Sequence, residues 1–430
     1  MKARAGLGAR LQGAICLIAL IACSSAAQCQ EPPIKVGILH SQTGPMAISE
    51  AVLTDTIRMM IEQQNAKGGL LGRRLEPVIV DPVSDNEVFR AFAQKMLDDD
   101  RVAVVFGGWT SASRRAMLPV FEKFNGLLFY PVQFEGQESS RNIFYTGAVP
   151  NQQAIPALRF LISKQGGSIK RWFLLGTDYV YPRTANAIVE AYLRSTGVAS
   201  EDITVRYVPF VVPSWEQIVS EIRDFAASGK KTAVISTING DSNLGFYRTL
   251  GAQGITADKV PVMAFSVGER ELARMEPKLL EGHLAAWSYF SSVVSPANEQ
   301  FIRSWRDFTE KKDDTPNDPM EAAMIGFRMW AHAVAQAGTV DVNAVRQAMY
   351  GQRLQAPSGF EVTMQSNHML SKPAMIGKVN DKGLFEVIWR SQATIGPDAW
   401  SKYLPATAAL TADWTFPWIC GGCTEPTVRD

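Results

Sequence analysis

Short apolar runs alternate with segments of helical spacing along most of the chain, and this alternation restricts the fold more than any other feature. Ile34 to His40 reads as a buried strand, and Leu53, Ile57, Met60 and Ile61 then fall at helical spacing until Gly68-Gly69 stop the helix. Leu75 to Val80 is the next strand, Val88, Phe89, Phe92 and Met96 mark a helix, and Val102 to Phe106 is a third strand. Met117, Leu118 and Phe121 carry the following helix and Leu127 to Tyr130 the fourth strand. Strands interleaved with helices predict a parallel sheet covered on both faces by its crossover helices.

After Pro150 a second series repeats the plan, with a helix around Ala154 to Lys164, a strand at Trp172 to Leu175, a helix from Pro182 and a strand at Ile203 to Val208. Ser214-x-x-Gln217 reads as a capping box opening a helix to Ala227, followed by a strand at Thr232 to Thr237. Asp318, placed as N-cap ahead of Pro319 with Glu321 three residues on, opens a long helix to Ala337 that is assigned to the first lobe. Phe360 to Met364, Met375 to Val379 and Phe385 to Trp389 are short strands near the end. No Pro- or Ser-rich linker separates the two series, which favours chain crossings through a hinge.

A chain of 430 residues exceeds one ordinary core, so two lobes are expected. Lys and Arg number 43 against 42 Asp and Glu, without basic runs, so charge points to no nucleic-acid partner. Lys2, Arg4 and Arg10 precede an apolar stretch from Ala14 to Ala22 and small residues from Ser24 to Ala27, the pattern of an export signal over residues 1–27. Its apolar part falls well short of the ~20 residues that span a bilayer. Leu20-Ile21-Ala22-Cys23 also fits a lipobox, with Cys23 acylated, as the alternative to simple cleavage after Ala27. Export permits a local disulfide in Cys420-Gly421-Gly422-Cys423, a tail clip rather than a redox or zinc motif.

The motifs of hydrolases, zincins, Walker loops and dinucleotide-binding strands are missing, and His40, His283, His332 and His368 are scattered without ligand spacing. Neither catalysis nor a metal or cofactor is expected. Ligands of open α/β sheets sit beyond the carboxyl ends of the strands, which directs attention to the loops there. These read His40-Ser41-Gln42-Thr43-Gly44, Gly107 to Arg114, Tyr130 to Gln137, Gly176 to Arg183 and Asn239 to Asn243. Ser111 falls at the expected N-cap of a helix, Asp178 and Asp241 can cap theirs, and at least one of Tyr179 and Tyr181 should face a cleft.

The strings GGWTSASR, FEGQESSRNIFYTG, PNQQ, GTDYVYPRTAN, NGDSN, DPMEAA and Ser366-Asn367-His368 resemble the amide- and urea-binding branch of type I periplasmic binding proteins, from about Ile34 to Pro405. The resemblance implies an α/β fold of two Rossmann-like lobes with a three-crossing hinge. Residues 34–150 plus about 285–350 would form the N-terminal lobe, 151–284 plus about 351–405 the C-terminal lobe, and 406–430 an extension. It further implies a periplasmic protein that captures urea or a short amide between the lobes, delivers it to an ABC permease in the inner membrane and catalyses nothing. The branch's ligand loops fall on Trp109, Thr110, Ser111, Tyr130, Tyr179, Tyr181, Asp241 and Glu269. Gly108 stands where relatives usually have cysteine, and Ser266-Val267-Gly268-Glu269-Arg270 departs from the usual small, acidic run, which weakens Ser266 and Glu269 as candidates. Urea carries one carbonyl oxygen and four N–H donors, so an enclosing pocket must be rich in acceptors. Other solutes of the same fold are short aliphatic amides and branched-chain amino acids, the latter needing partners for both an ammonium and a carboxylate. An amidase is the rival from another class.

Overall fold

The computed structural model describes residues 31–421 and 423; the signal at 1–27, the Cys23 lipobox and Cys29 lie outside the described residues. The first half builds β1 (Ile34–Leu39), β2 (Leu75–Val80), β3 (Val104–Gly107), β4 (Leu128–Tyr130) and β5 (Ile143–Tyr145), a sheet of order β2-β1-β3-β4-β5 with every pair parallel. β3, β4 and β5 are buried along their whole length, whereas the edge strand β2 exposes or half-exposes all but Leu75. Helices on both faces of the inner strands, and solvent at the edge, account for that difference.

The second half contributes β6 (Arg171–Thr177), β7 (Ile203–Val208), β8 (Thr232–Thr237), β9 (Val262–Ala264) and β10 (Leu284–Trp287). A small antiparallel sheet follows, β11 (Arg353–Gln355), β12 (Glu361–Met364) and β13 (Leu370–Ser371), and then β14 (Met375–Val379) and β15 (Phe385–Arg390). The larger sheet runs β15-β14-β10-β9-β8-β6-β7, parallel from β6 to β10 and antiparallel at β14 and β15. Counted from its own first strand, each parallel set has the order 2-1-3-4-5. In such an order the winding reverses between the first and third strands, opening a crevice at β1/β3 in one lobe and β6/β8 in the other.

The chain passes between lobes near 146–153, 288–295 and 372–374. These passages are tied to one another and to the first lobe. Lys372, fully buried, donates to the Thr146 carbonyl at 3.0 Å, and the Ser288 amide donates to Asp318 Oδ2 at 2.9 Å. Gln152 donates to the carbonyls of Leu370 and Ile395, each at 2.8 Å.

Three local expectations change. The long helix Asp318–Ala337 is capped by Asn317, whose Oδ1 accepts from the Met320 amide at 3.3 Å, so Asp318 is released to bind Ser288. The helix Glu216–Ala226 starts after Trp215 without the expected Ser214–Gln217 box: the Ser214 hydroxyl donates to the Glu216 carboxylate and accepts from the Glu216 amide at 3.4 Å. The stretch 351–405 divides between lobes: Val362, Met364, Met369 and Leu370 join the first lobe's core, and β14 and β15 join the second sheet.

From 406 onward the chain returns over the first lobe. A hairpin of β16 (Asp413–Thr415) and β17 (Ile419–Gly421) places Trp414 Nε1 2.9 Å from Ser139 Oγ and the Trp418 ring 4.7 Å from the Arg346 guanidinium carbon. Cys420 and Cys423 form a disulfide.

Candidate ligand-binding site

The two crevices face each other across the hinge, and the loops leaving their strands meet. After β3, Gly108 takes φ +82°, where a side chain would also press on Met117 Cε at 3.0 Å; glycine relieves both constraints. Trp109 follows, buried, with its Nε1 unpartnered and its carbonyl accepting from the Tyr130 hydroxyl. Thr110, not Ser111, caps the helix Ser111–Phe124, its Oγ1 accepting from the Ser113 amide at 3.0 Å. Ser111 opens the first turn, donates to Glu135 Oε2 at 2.6 Å and accepts from Arg114 Nη1 at 3.0 Å. Its hydroxyl proton is therefore committed within the first lobe.

Beneath these loops Arg114 is fully buried between the rings of Tyr130 and Phe134, 4.7 and 4.6 Å from their centroids. Its Nε and Nη2 donate to Glu138 at 2.8 and 3.1 Å. A buried cation survives only when paired and hydrogen-bonded in this way.

The second lobe supplies Tyr179 and Tyr181 at the start of the helix Val180–Ser195, their ring centroids 6.2 Å apart, with Phe210 5.0 Å from Tyr179. Tyr181 is buried and its hydroxyl makes no well-formed hydrogen bond, although Gln133 and Ser266 lie beside it. Tyr179 is half-exposed as a residue, yet its phenol end is enclosed and feels Tyr130 of the other lobe. Burial raises the phenols of Tyr130, Tyr179 and Tyr181 above their ordinary range, so all three are neutral. Gln133, on the loop after β4, spans the lobes by donating to Ser266 Oγ at 2.8 Å, while its Oε1 has no partner.

Tyr130, Tyr179 and Tyr181 are thus brought together, with Trp109 joined to Tyr130 through its carbonyl. Asp241 is not: it is exposed on the rim of an open cavity of about 540 Å³ lined by Gly44, Pro45, Phe210 and Trp215. As the residue before a helix its side chain makes no cap, and its amide reaches only the Pro45 carbonyl at 3.4 Å. Glu269 is turned to the hinge, where Oε1 accepts from the Ser291 amide at 2.7 Å and Oε2 is unpartnered. Burial, with a contribution from Asp318, pushes its carboxyl up to about 7.

Gln133 carries no mark in the sequence that separates it from any polar loop residue; its position one turn of chain beyond Tyr130 is the one hint. Among the described residues, no group of three or more His, Cys, Asp or Glu could hold a metal ion, and no helix is long and apolar enough to cross a membrane.

Residues 34–406 match the family described as periplasmic binding protein domain. The chain is 24% identical over 338 residues to the leucine-, isoleucine-, valine-, threonine- and alanine-binding protein of Pseudomonas aeruginosa, covering 76% of this chain and 84% of that one. A stretch of 121 residues, 28% of this chain, is 30% identical to a protein named limonene hydroxylase of Geobacillus stearothermophilus, of which it spans only 22%. In structure it is similar to the solute-binding protein of an ABC transporter from Rhodopseudomonas palustris BisB5 in complex with 3,4-dihydroxybenzoic acid, at 18% identity and a TM-score of 0.73, covering 85% of this chain and 99% of that one. The chain belongs to the periplasmic binding protein family and has the α/β fold of its type I members.

Proposed function

We propose that this is the extracytoplasmic solute-binding protein of an ABC transporter, that its lobes close on a small neutral amide, urea foremost, and that it passes the solute to a permease without reacting with it. The observation that carries the reading is the set of unpartnered polar atoms in the enclosed site. Trp109 Nε1 is a donor, Gln133 Oε1 an acceptor, and the Tyr181 hydroxyl either, and both lobes contribute. All are neutral, and the charges beneath them, Arg114, Glu135 and Glu138, are paired. An amide offers a carbonyl and N–H groups to such a set, and the flat ring of Trp109 suits a planar solute. An exported protein meeting its solute in the periplasm fits the signal pattern at 1–27.

A second reading, an amino acid or aromatic acid, is favoured by the names of the relatives. It requires donors for the carboxylate, which a helix start and hydroxyl groups can supply as well as a cation. Calorimetric titration with urea, acetamide, leucine and 3,4-dihydroxybenzoate separates the two. One-to-one urea binding, with the solute recovered unchanged, is expected; leucine or the aromatic acid binding while urea is silent would replace the amide by an acid and leave the transport role standing.

A further inference from the structure

Four charges lie under the first-lobe wall of the site, and they sum to zero. Arg114 contacts Glu138 at 2.8 Å and Glu135 at 3.4 Å, and Arg115 lies 3.5 Å from Glu135 and 3.6 Å from Glu138. The two carboxylates are not equivalent. Glu138 takes two bonds from Arg114 and a third from the Tyr145 hydroxyl at 2.8 Å. Glu135 reaches the head of the helix Ser111–Phe124 through Ser111. Glu135 also disfavours ionisation of both Tyr179 and Tyr181 on the opposite wall, an effect that Arg114 opposes at Tyr179.

Without Glu135, the wall would combine the free amides of a helix start, the Ser111 hydroxyl and an excess positive charge from Arg114 and Arg115. That combination attracts carboxylates. With Glu135 present and fully buried, that positive charge is cancelled, and a carboxylate entering the site loses its hydration with no net positive charge to offset the loss.

We infer that Glu135 is a specificity-determining residue that bars carboxylate solutes from the cleft by cancelling the positive charge at the head of the helix Ser111–Phe124. It acts through Ser111 and Arg114 and touches no solute itself. The inference rests on the neutral-amide reading above.

Acetamide and acetate have the same shape and differ in charge, so their affinity ratio isolates this effect. Both are titrated by calorimetry into the wild-type protein and the Glu135→Gln, Glu135→Met and Glu135→Asp variants, each first checked for a cooperative melt. The wild type is expected to prefer acetamide. Glu135→Gln or Glu135→Met, whichever folds, shifts the ratio about tenfold or more toward acetate, and Glu135→Asp keeps the wild-type ratio. Equal weakening of both solutes in the uncharged variants overturns the inference alone, since a packing role lowers both together. If neither uncharged variant folds, Glu135 is a folding requirement and the inference also falls. Wild-type preference for acetate overturns the inference and the neutral-amide reading together.

Discussion

Gln133 leaves the first sheet and donates its side-chain amide to the hydroxyl of Ser266, which leaves the second, at 2.8 Å. Ser49 of the first lobe likewise donates to Glu271 of the second. The closed arrangement therefore includes bonds between the lobes at the solute site itself. Ser266→Ala should weaken solute binding by about fivefold, the ~1 kcal/mol worth of a neutral hydrogen bond, and Gln133→Ala by more, since it also removes the Oε1 acceptor offered to the solute. The double variant should cost little more than Gln133→Ala alone, because both changes remove the same inter-lobe contact. Titration of the four proteins checks this; fully additive losses would mean that the two side chains act separately.

Tyr181 buries a hydroxyl without a well-formed partner, an arrangement that costs stability by ~1–3 kcal/mol and is tolerated where function needs it. Tyr181→Phe should therefore leave the melting temperature of the solute-free protein unchanged or raised, while solute affinity drops by about tenfold. Melts with and without saturating urea read both effects. A lower melting temperature with unchanged affinity would make the hydroxyl structural.

The sheets were legible because their inner strands are short, largely apolar runs between helices of clear spacing, as in Val102 to Phe106 and Trp172 to Leu175. β5 and β10 escaped because no long helix separates either from the strand before it, so the alternation that marked the equally short β3 and β4 was missing. The loop rule pointed to the segments that hold Trp109 and Tyr130, and the family resemblance singled out those two residues within them. Asp241 and Glu269 have equally plausible loop positions, but which way an acidic side chain turns depends on partners such as the Ser291 amide, remote in sequence. The Asn317 cap illustrates the same limit, since two adjacent residues could each have served and tertiary demand for Asp318 decided between them.

Trp414 and Trp418 fasten the returning arm to the first lobe, both at least nine-tenths buried. Trp414→Ala should destabilise the protein by ~3–5 kcal/mol, the usual cost of deleting a large buried aromatic. Cys420→Ser with Cys423→Ser should cost far less, because the disulfide closes a loop of only three residues' separation and loop-closure entropy grows with loop length. Thermal melts of the two variants should rank in that order. The reverse ranking would make the clip, rather than the tryptophans, what holds the arm.

At the hinge, burial pushes both Glu269 and Glu321 up to about 7, well above the usual carboxylate range. Glu321 faces Lys372, which draws its pKa back down, and Asp318, which raises it; its Oε1 accepts from the Ser358 amide at 2.7 Å and its Oε2 is unpartnered. A carboxyl whose folded pKa lies above its unfolded value binds a proton more tightly in the folded state. Its stabilising effect is complete below the unfolded pKa and is lost as pH rises through the folded one, a window from about pH 4.5 to about pH 7. Each tenfold change in acid strength corresponds to about 1.4 kcal/mol. His283 and His368 act oppositely, since burial depresses them to about 4 and about 3 and their contribution is lost as pH falls through those values. The wild-type curve mixes the two signs, so the informative quantity is a difference. Glu321→Gln keeps an acceptor for Ser358 but cannot ionise, and its melting temperature relative to wild type should climb between about pH 5 and about pH 8, by a few kcal/mol in stability. A difference that stays flat across that range would mean that Glu321 ionises in the folded protein as readily as in the unfolded chain.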